Sequence, residues 1–176
     1  VGPQPFILKS LGGVTLPAEP REELLNFQAE VQETNRRLDG AATRLEETEE
    51  RLGAIRHALF LTPEASQELH ARVLRAEQEL ADIQRALDGD RLASELDQGT
   101  PMGIMDRLGW LTYEMWGSTS APTQTQRDAL AIVQEEAPTI LKRMRQLAEV
   151  EVKAIEKALE EAGAPYTPQR PIGVGE

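Results

Sequence analysis

The chain has 176 residues, enough to bury a core of ordinary domain size, and no cysteine, which excludes disulfides and thiol chemistry. Its 30 acidic residues against 19 basic ones give a formal net charge of −11, which repels nucleic acid. Only 4% of residues are aromatic while 28% are charged, and Leu, Ala, Glu, Arg and Gln dominate, the palette of long helices.

The chain opens at Val1 with no charged-then-apolar leader, in what reads as the middle of a strand, so a piece of something longer is expected. Phe6–Leu11, Gly12-Gly13 and Val14–Leu16 read as strand, tight turn, strand. Residues 1–19 are accordingly assigned to the end of a preceding β region plus a linker, a hairpin capping a bundle being the alternative. Pro17 breaks the extended run, and Pro20 suits the first turn of a helix, where its missing N–H costs nothing.

From Leu24 every seventh residue is apolar: Leu24, Val31, Leu38, Leu45, Leu52 and Leu59. Three positions on lies a second row of Phe27, Thr34, Ala41, Thr48 and Ile55. An a/d pattern held over about five heptads predicts one long helix from Pro20 to Leu61, lying in a bundle or coiled coil. Gly40 and Gly53 fall outside both rows and suggest close helix contacts or gentle bends. Glu46, Glu47, Glu49 and Glu50 with Arg44, Arg51 and Arg56 read as a solvated face.

Thr62-Pro63-Glu64 reads as a stop and restart, with Thr62 as N-cap and Pro63 at the first helical position. The second helix carries Leu69, Val73, Ala76, Leu80, Ile83 and Leu87, and so short a connection makes it an antiparallel neighbour of the first. Asp88-Gly89-Asp90 ends it, and a single helical turn is expected near Leu92–Leu96. A third helix, Pro101–Trp116, places Ile104, Leu108, Leu111 and Met115 on one face and holds Trp110, Tyr113 and Trp116. Trp110 and Trp116 cannot both lie on that stripe; packing anchors against the long helices are expected, with a carbohydrate-stacking surface as the alternative.

Gly117–Pro122 is a loop by composition, and Thr123-x-x-Gln126 a capping box that starts a fourth helix reaching about Ala162. Its seam runs Leu130, Val133, Ala137, Ile140, Met144, Leu147, then shifts to Ala148, Val152, Ile155, Leu159 and Ala162, a stutter that locally unwinds supercoiling. Pro138 inside the helix predicts a kink. Gly163 ends it, and Pro165, Pro168 and Pro171 are expected to keep residues 164–176 extended. The fold class is therefore all-α: residues 20–163 form an elongated antiparallel bundle of two long helices and a broken middle leg, preceded by a short β-strand or hairpin.

No catalytic arrangement stands out. His57 and His70 lack a third spaced ligand for a metal, and Ser118 and Ser120 lack a nucleophile-elbow context and a base. The glycines form no phosphate cradle, and no run of about 18 apolar residues exists for membrane insertion. The nearest basic cluster, Lys142, Arg143 and Arg145, is interrupted and followed by Glu149 and Glu151. A non-enzymatic module without cofactor or metal is expected.

Trp116-Gly117-Ser118-Thr119-Ser120-Ala121-Pro122-Thr123-Gln124-Thr125-Gln126-Arg127 resembles the helical C-terminal region of bacterial BNR-repeat, sortilin-type (glycosyl-hydrolase-like) β-propeller proteins. Ile55–Leu59, the strand before Leu16 and Ala162–Pro168 fit the same pattern, whereas Gln124 and Tyr166 stand where that family carries a smaller residue and often Trp. The resemblance implies an exported, extracytoplasmic parent built of β-propellers, with this chain as its terminal helical module. Asp-box motifs are absent, so no catalytic residue carries over. The expected role is docking on its own propellers or on another protein through Trp110, Tyr113, Trp116, Gly117, Ser118, Thr119 and Ser120. Alternatives are an accessory domain shaping the cleft of a glycan- or peptide-acting hydrolase, and a self-associating coiled coil that makes a homo-oligomer.

Overall fold

A computed structural model of the chain describes residues 2–7, 21–117 and 119–170. The class is all-α. The elements are α1 (Arg21–Phe60), α2 (Gln67–Asp88), α3 (Arg91–Glu95), α4 (Ile104–Trp116) and α5 (Gln124–Arg145), then a π-helical turn (Gln146–Glu151) leading directly into α6 (Val152–Glu161). None of residues 2–7 is in a strand, and the rest of the predicted hairpin lies outside the described residues.

The heptad reading of α1 holds at the level of side chains. Leu24, Val31, Leu38, Leu45, Leu52 and Leu59 are all buried, as are Phe27, Thr48 and Ile55 of the second row. The polar members of that row satisfy themselves: the hydroxyls of Thr34 and Thr48 donate back to the carbonyls of Glu30 and Arg44 at 2.8 and 2.7 Å. At 40 residues α1 is about 60 Å long at 1.5 Å per residue, and it touches α2, α4, α5 and α6 in turn. The second-helix stripe, Leu69 to Leu87, and the α4 stripe, Ile104 to Met115, complete the core with the α5–α6 seam.

Polar cross-links give the helix directions. Glu77 and Glu49 of facing helices bond Arg56 and Gln84, so α2 runs opposite to α1, and Asn35 donates to Thr112 at 3.0 Å, which sets α4 beside the first half of α1. Glu23 pairs with Arg127 and Arg51 with Glu156, an almost constant offset, so α5 and α6 run with α1. The break between α2 and α4 is a backbone-on-backbone seat. A Cβ on Gly103 would lie 2.5 Å from the Leu87 carbonyl oxygen and 2.6 Å from the Asp88 carbonyl carbon. Gly89, at φ +80°, turns the chain out of α2, and its N–H is taken by the Arg85 carbonyl. Helix α3, capped by the Asp90 side chain, occupies the excursion before α4 restarts at that seat.

Several boundaries differ from expectation. Thr62 does not cap α2. Its hydroxyl donates to the Ala58 carbonyl at 2.8 Å and finishes α1, while Ser66, accepting from the Leu69 N–H, caps α2 four residues later. Helix α4 starts at Ile104 rather than Pro101, because only there does the chain clear the Gly89 seat. A Cβ on Gly40 or Gly53 would meet nothing within 4 Å, so neither marks a close helix contact. Helix α5 continues through Pro138, which stands on the exposed side. The capping box forms in full, with Thr123 and Gln126 exchanging side-chain and backbone bonds.

The predicted stutter coincides with the π-helical turn. Leu147 and Ala148, consecutive residues, are both buried, which a regular α-helix with one seam does not favour; widening one turn brings both inward. Arg51, read from the sequence as part of a solvated face, is likewise buried. It flanks the a-row, and because α1 packs against several helices its flanking position closes over as well. Both its guanidinium and the Glu156 carboxylate are about 95% covered, joined by contacts of 2.8, 2.8 and 3.1 Å.

Past α6 the chain makes a Schellman turn. Gly163, at φ +70°, donates to Glu160, Ala164 donates to Leu159, and the two apolar side chains are both buried. The following segment is not simply extended. Thr167 and Arg170 are buried, and the Arg170 guanidinium donates to the Ala164 carbonyl at 3.1 Å, ion-pairs with Glu160 at 2.8 Å and lies over the Tyr166 ring. Charge and ring contacts thus fold back a tail whose prolines alone favour extension.

Candidate interaction surface

Helix α4 splits its apolar residues between two sides. Ile104, Leu108, Leu111 and Met115 recur at helical spacing and are buried, which fixes the opposite side toward solvent. Gly109, Tyr113, Trp116 and Gly117 recur at spacings of four, three and one on that outer side. Trp116 is 89% exposed and Tyr113 is 79% exposed. Leaving such side chains in water forgoes about 1.5–3 kcal/mol each relative to burial, so an exposed pair on one helical face is informative.

The local geometry is an open shelf. Gly109 and Gly117 contribute no side chain at its two ends, and Thr112 and Glu114 border the aromatic pair. The Thr112 hydroxyl donates to the Leu108 carbonyl at 2.9 Å and accepts from Asn35, which ties the shelf to α1. Gly117 closes the helix, its N–H reaching the Met115 carbonyl. Glu114 is the one charged side chain bordering the shelf, so the surface is chiefly aromatic and hydrogen-bonding.

The predicted site residues divide. Tyr113, Trp116 and Gly117 come together on the shelf. Trp110 does not join them: it is half-buried and packs against the core, because its position lies toward the buried stripe. Trp116 is thus no packing anchor, contrary to expectation, whereas Trp110 is one. Thr119 and Ser120 are exposed in the loop beyond Gly117, and Ser118 lies outside the described residues. Gly109, Thr112 and Glu114 were missed by sequence reasoning, although Gly109 stands four residues before Tyr113 and was legible as a neighbour.

His57 and His70 are exposed, and the His70 Nδ1 lies 3.0 Å from the Ser66 carbonyl oxygen. Among the described residues no group of three or more His, Cys, Asp or Glu is placed to hold a metal ion. Among the same residues no helix is long and apolar enough to cross a membrane. Comparison with protein-family models, with curated proteins and with solved structures finds no match.

Proposed function

We propose that this chain is a non-catalytic helical interaction module, the C-terminal domain of a larger exported BNR-type β-propeller protein, and that it docks on the propellers of its own parent through Tyr113 and Trp116. The single observation that carries the docking role is the exposure of Trp116, at 89%, beside Tyr113 on a helix whose other side is fully committed to the core. Aromatic side chains with two stiff torsions supply large contact area at low ordering cost, and they dominate the energetics of protein interfaces. The resemblance of Trp116–Arg127 to sortilin-type propeller proteins supplies the identity of the parent and its extracytoplasmic setting.

In this reading the described helices form an elongated three-legged bundle, two long helices flanking the broken leg of α2 and α4. The order of cross-links between α1, α2–α4 and α5–α6 supports that arrangement. A rigid bundle of this kind holds the aromatic shelf at a fixed distance and angle from the preceding domain.

The test is calorimetric titration of the chain with the upstream propeller region of its parent, produced separately. Saturable binding is expected, weakened about 100-fold by Tyr113→Ala/Trp116→Ala, the loss of two interface anchors. The thermal midpoint of the double variant should match the wild type because both side chains are exposed. Absence of binding, or binding indifferent to the double substitution, overturns the proposal.

A further inference from the structure

The fold joins two basic clusters that the sequence keeps some 70 positions apart. Arg72 and Arg75 of α2 face Lys142 and Arg143 of α5 across a hollow of about 670 Å³, floored by Ala76 and by Leu147 of the π-helical turn. Two ion pairs frame it as rungs. Arg72 meets Glu151 at 2.9 Å at one end, and Arg143 meets Glu79 at 2.7 Å at the other. The rungs stand seven residues apart on α2, about 10 Å along the axis.

The hollow has a physical cause. Ala76 is the smallest side chain of the α2 stripe, and the widened turn ending at Glu151 holds that carboxylate out toward Arg72 instead of letting the helices close over the gap. Four cations against two carboxylates leave a local surplus of two positive charges in a chain of net charge −11. The surplus is identifiable: Arg75 and Lys142 are exposed on the rim, and neither has a hydrogen-bond or ion-pair partner among the described residues. The rung arginines are spoken for; Glu79 holds the Arg143 guanidinium above its ordinary value, chiefly through their hydrogen bond.

We propose that this hollow is a binding site for a compact amphipathic anion, an aromatic or short-chain carboxylate, its apolar body on the methylene stems that wall the hollow above Ala76 and Leu147 and its charge between Arg75 and Lys142. The volume lies in the range of small-ligand pockets, about 300–1,000 Å³. An extended peptide is disfavoured, because at about 3.3 Å per residue it would meet a rung within three residues. The hollow lies between α2 and α5, and the proposal is independent of the aromatic shelf on α4.

The experiment is an amide-resolved NMR titration of the whole chain with 2-naphthoate, run in parallel with the neutral 2-naphthalenemethanol and with sodium chloride at matched ionic strength. Saturable shifts are expected to centre on Arg75, Ala76, Gln146 and Leu147. Arg75→Glu/Lys142→Glu, two surface changes, should weaken naphthoate binding about tenfold or more while leaving the spectrum of a folded chain. Three results overturn the proposal: no saturable shift, shifts spread evenly over exposed basic residues such as Lys153 and Lys157, or equal binding of the neutral analogue.

Discussion

The molecule ties its helices together in two different ways. Where α1 and α2 meet each other, α5, α6 and the π-helical turn, charged side chains reach across: Arg51 to Glu156, Arg56 to Glu77, Arg72 to Glu151, Arg143 to Glu79 and Arg127 to Glu23. Where α4 lies against its neighbours, the side-chain polar link to another helix among the described residues is the neutral bond from Asn35 to Thr112. Four buried apolar side chains, the half-buried Met105 and Trp110, and one glycine seat hold the rest of α4. The lesson concerns specificity. Apolar seams of heptad type tolerate sliding by a turn, and directional charge pairs penalise it. The half that carries the pairs is fixed in register, while α4 takes its register from a backbone contact and commits its outer face to a single neutral bond at Thr112.

The sharpest way to break that comparison is at the buried pair. Glu156→Ala leaves the Arg51 guanidinium covered and unpartnered, and it should cost about 3–5 kcal/mol in urea unfolding. Replacing both partners, Arg51→Met with Glu156→Leu, should recover most of that loss, since an apolar pair of similar volume avoids desolvation of two charges. A double variant that fares no better than Glu156→Ala would show that the site depends on its charges for more than mutual neutralisation.

Next in size is the seat of α4. Gly103→Ala drives a Cβ into the backbone of Leu87 and Asp88, which has no flexible end to yield, so a loss of about 2 kcal/mol is expected. Gly53→Ala, in the open on α1, should gain up to about 1 kcal/mol by helix propensity alone. Chemical denaturation of the two variants side by side checks both signs. Equal effects would mean that the close approach at residue 103 is not what positions α4.

Those two glycines also mark how far the sequence could be read. Periodicity alone sufficed for α1, for the stripes of α2 and α4, and for the change of seam at Leu147–Ala148, because each follows from the 3.6-residue repeat and needs no knowledge of the partner. The capping box at Thr123 and Gln126 is equally local. What could not be read depends on which helix faces which. Arg51 looks like any surface arginine until Glu156 arrives from 105 residues away. Gly103 looks like loop glycine until Gly89 is placed under it, and Arg75 and Lys142 belong to unrelated runs until α2 and α5 pair. Thr62 failed for a different reason: Thr62 and Ser66 are both competent caps, and the buried hydroxyl of Thr62 found a carbonyl of α1 first. Of the predicted site, Tyr113, Trp116 and Gly117 were legible because three- and four-residue spacing places them together.

The smallest effect sharpens the comparison at the joint between the two regions. Asp88 is the last residue of α2, where a carboxylate opposes the helix dipole. Partial burial pushes its carboxyl above the ordinary value, Asp106 at the start of α4 and Glu46 add to the shift, and Arg91 opposes it. A raised acid binds its proton more tightly in the folded chain, so its ionisation costs stability above the folded value, and that cost fades as pH falls through it. Asp88→Asn should therefore gain about 0.5 kcal/mol or less near neutral pH, since solvent screens so exposed a charge, the gain vanishing as pH falls below the ordinary carboxylate range, where the acid is protonated in both states. Thermal unfolding of wild type and variant across that range tests the sign. A gain that persists unchanged into acid would assign the effect to the amide side chain itself, and not to crowding of carboxylates where α2 hands over to α4.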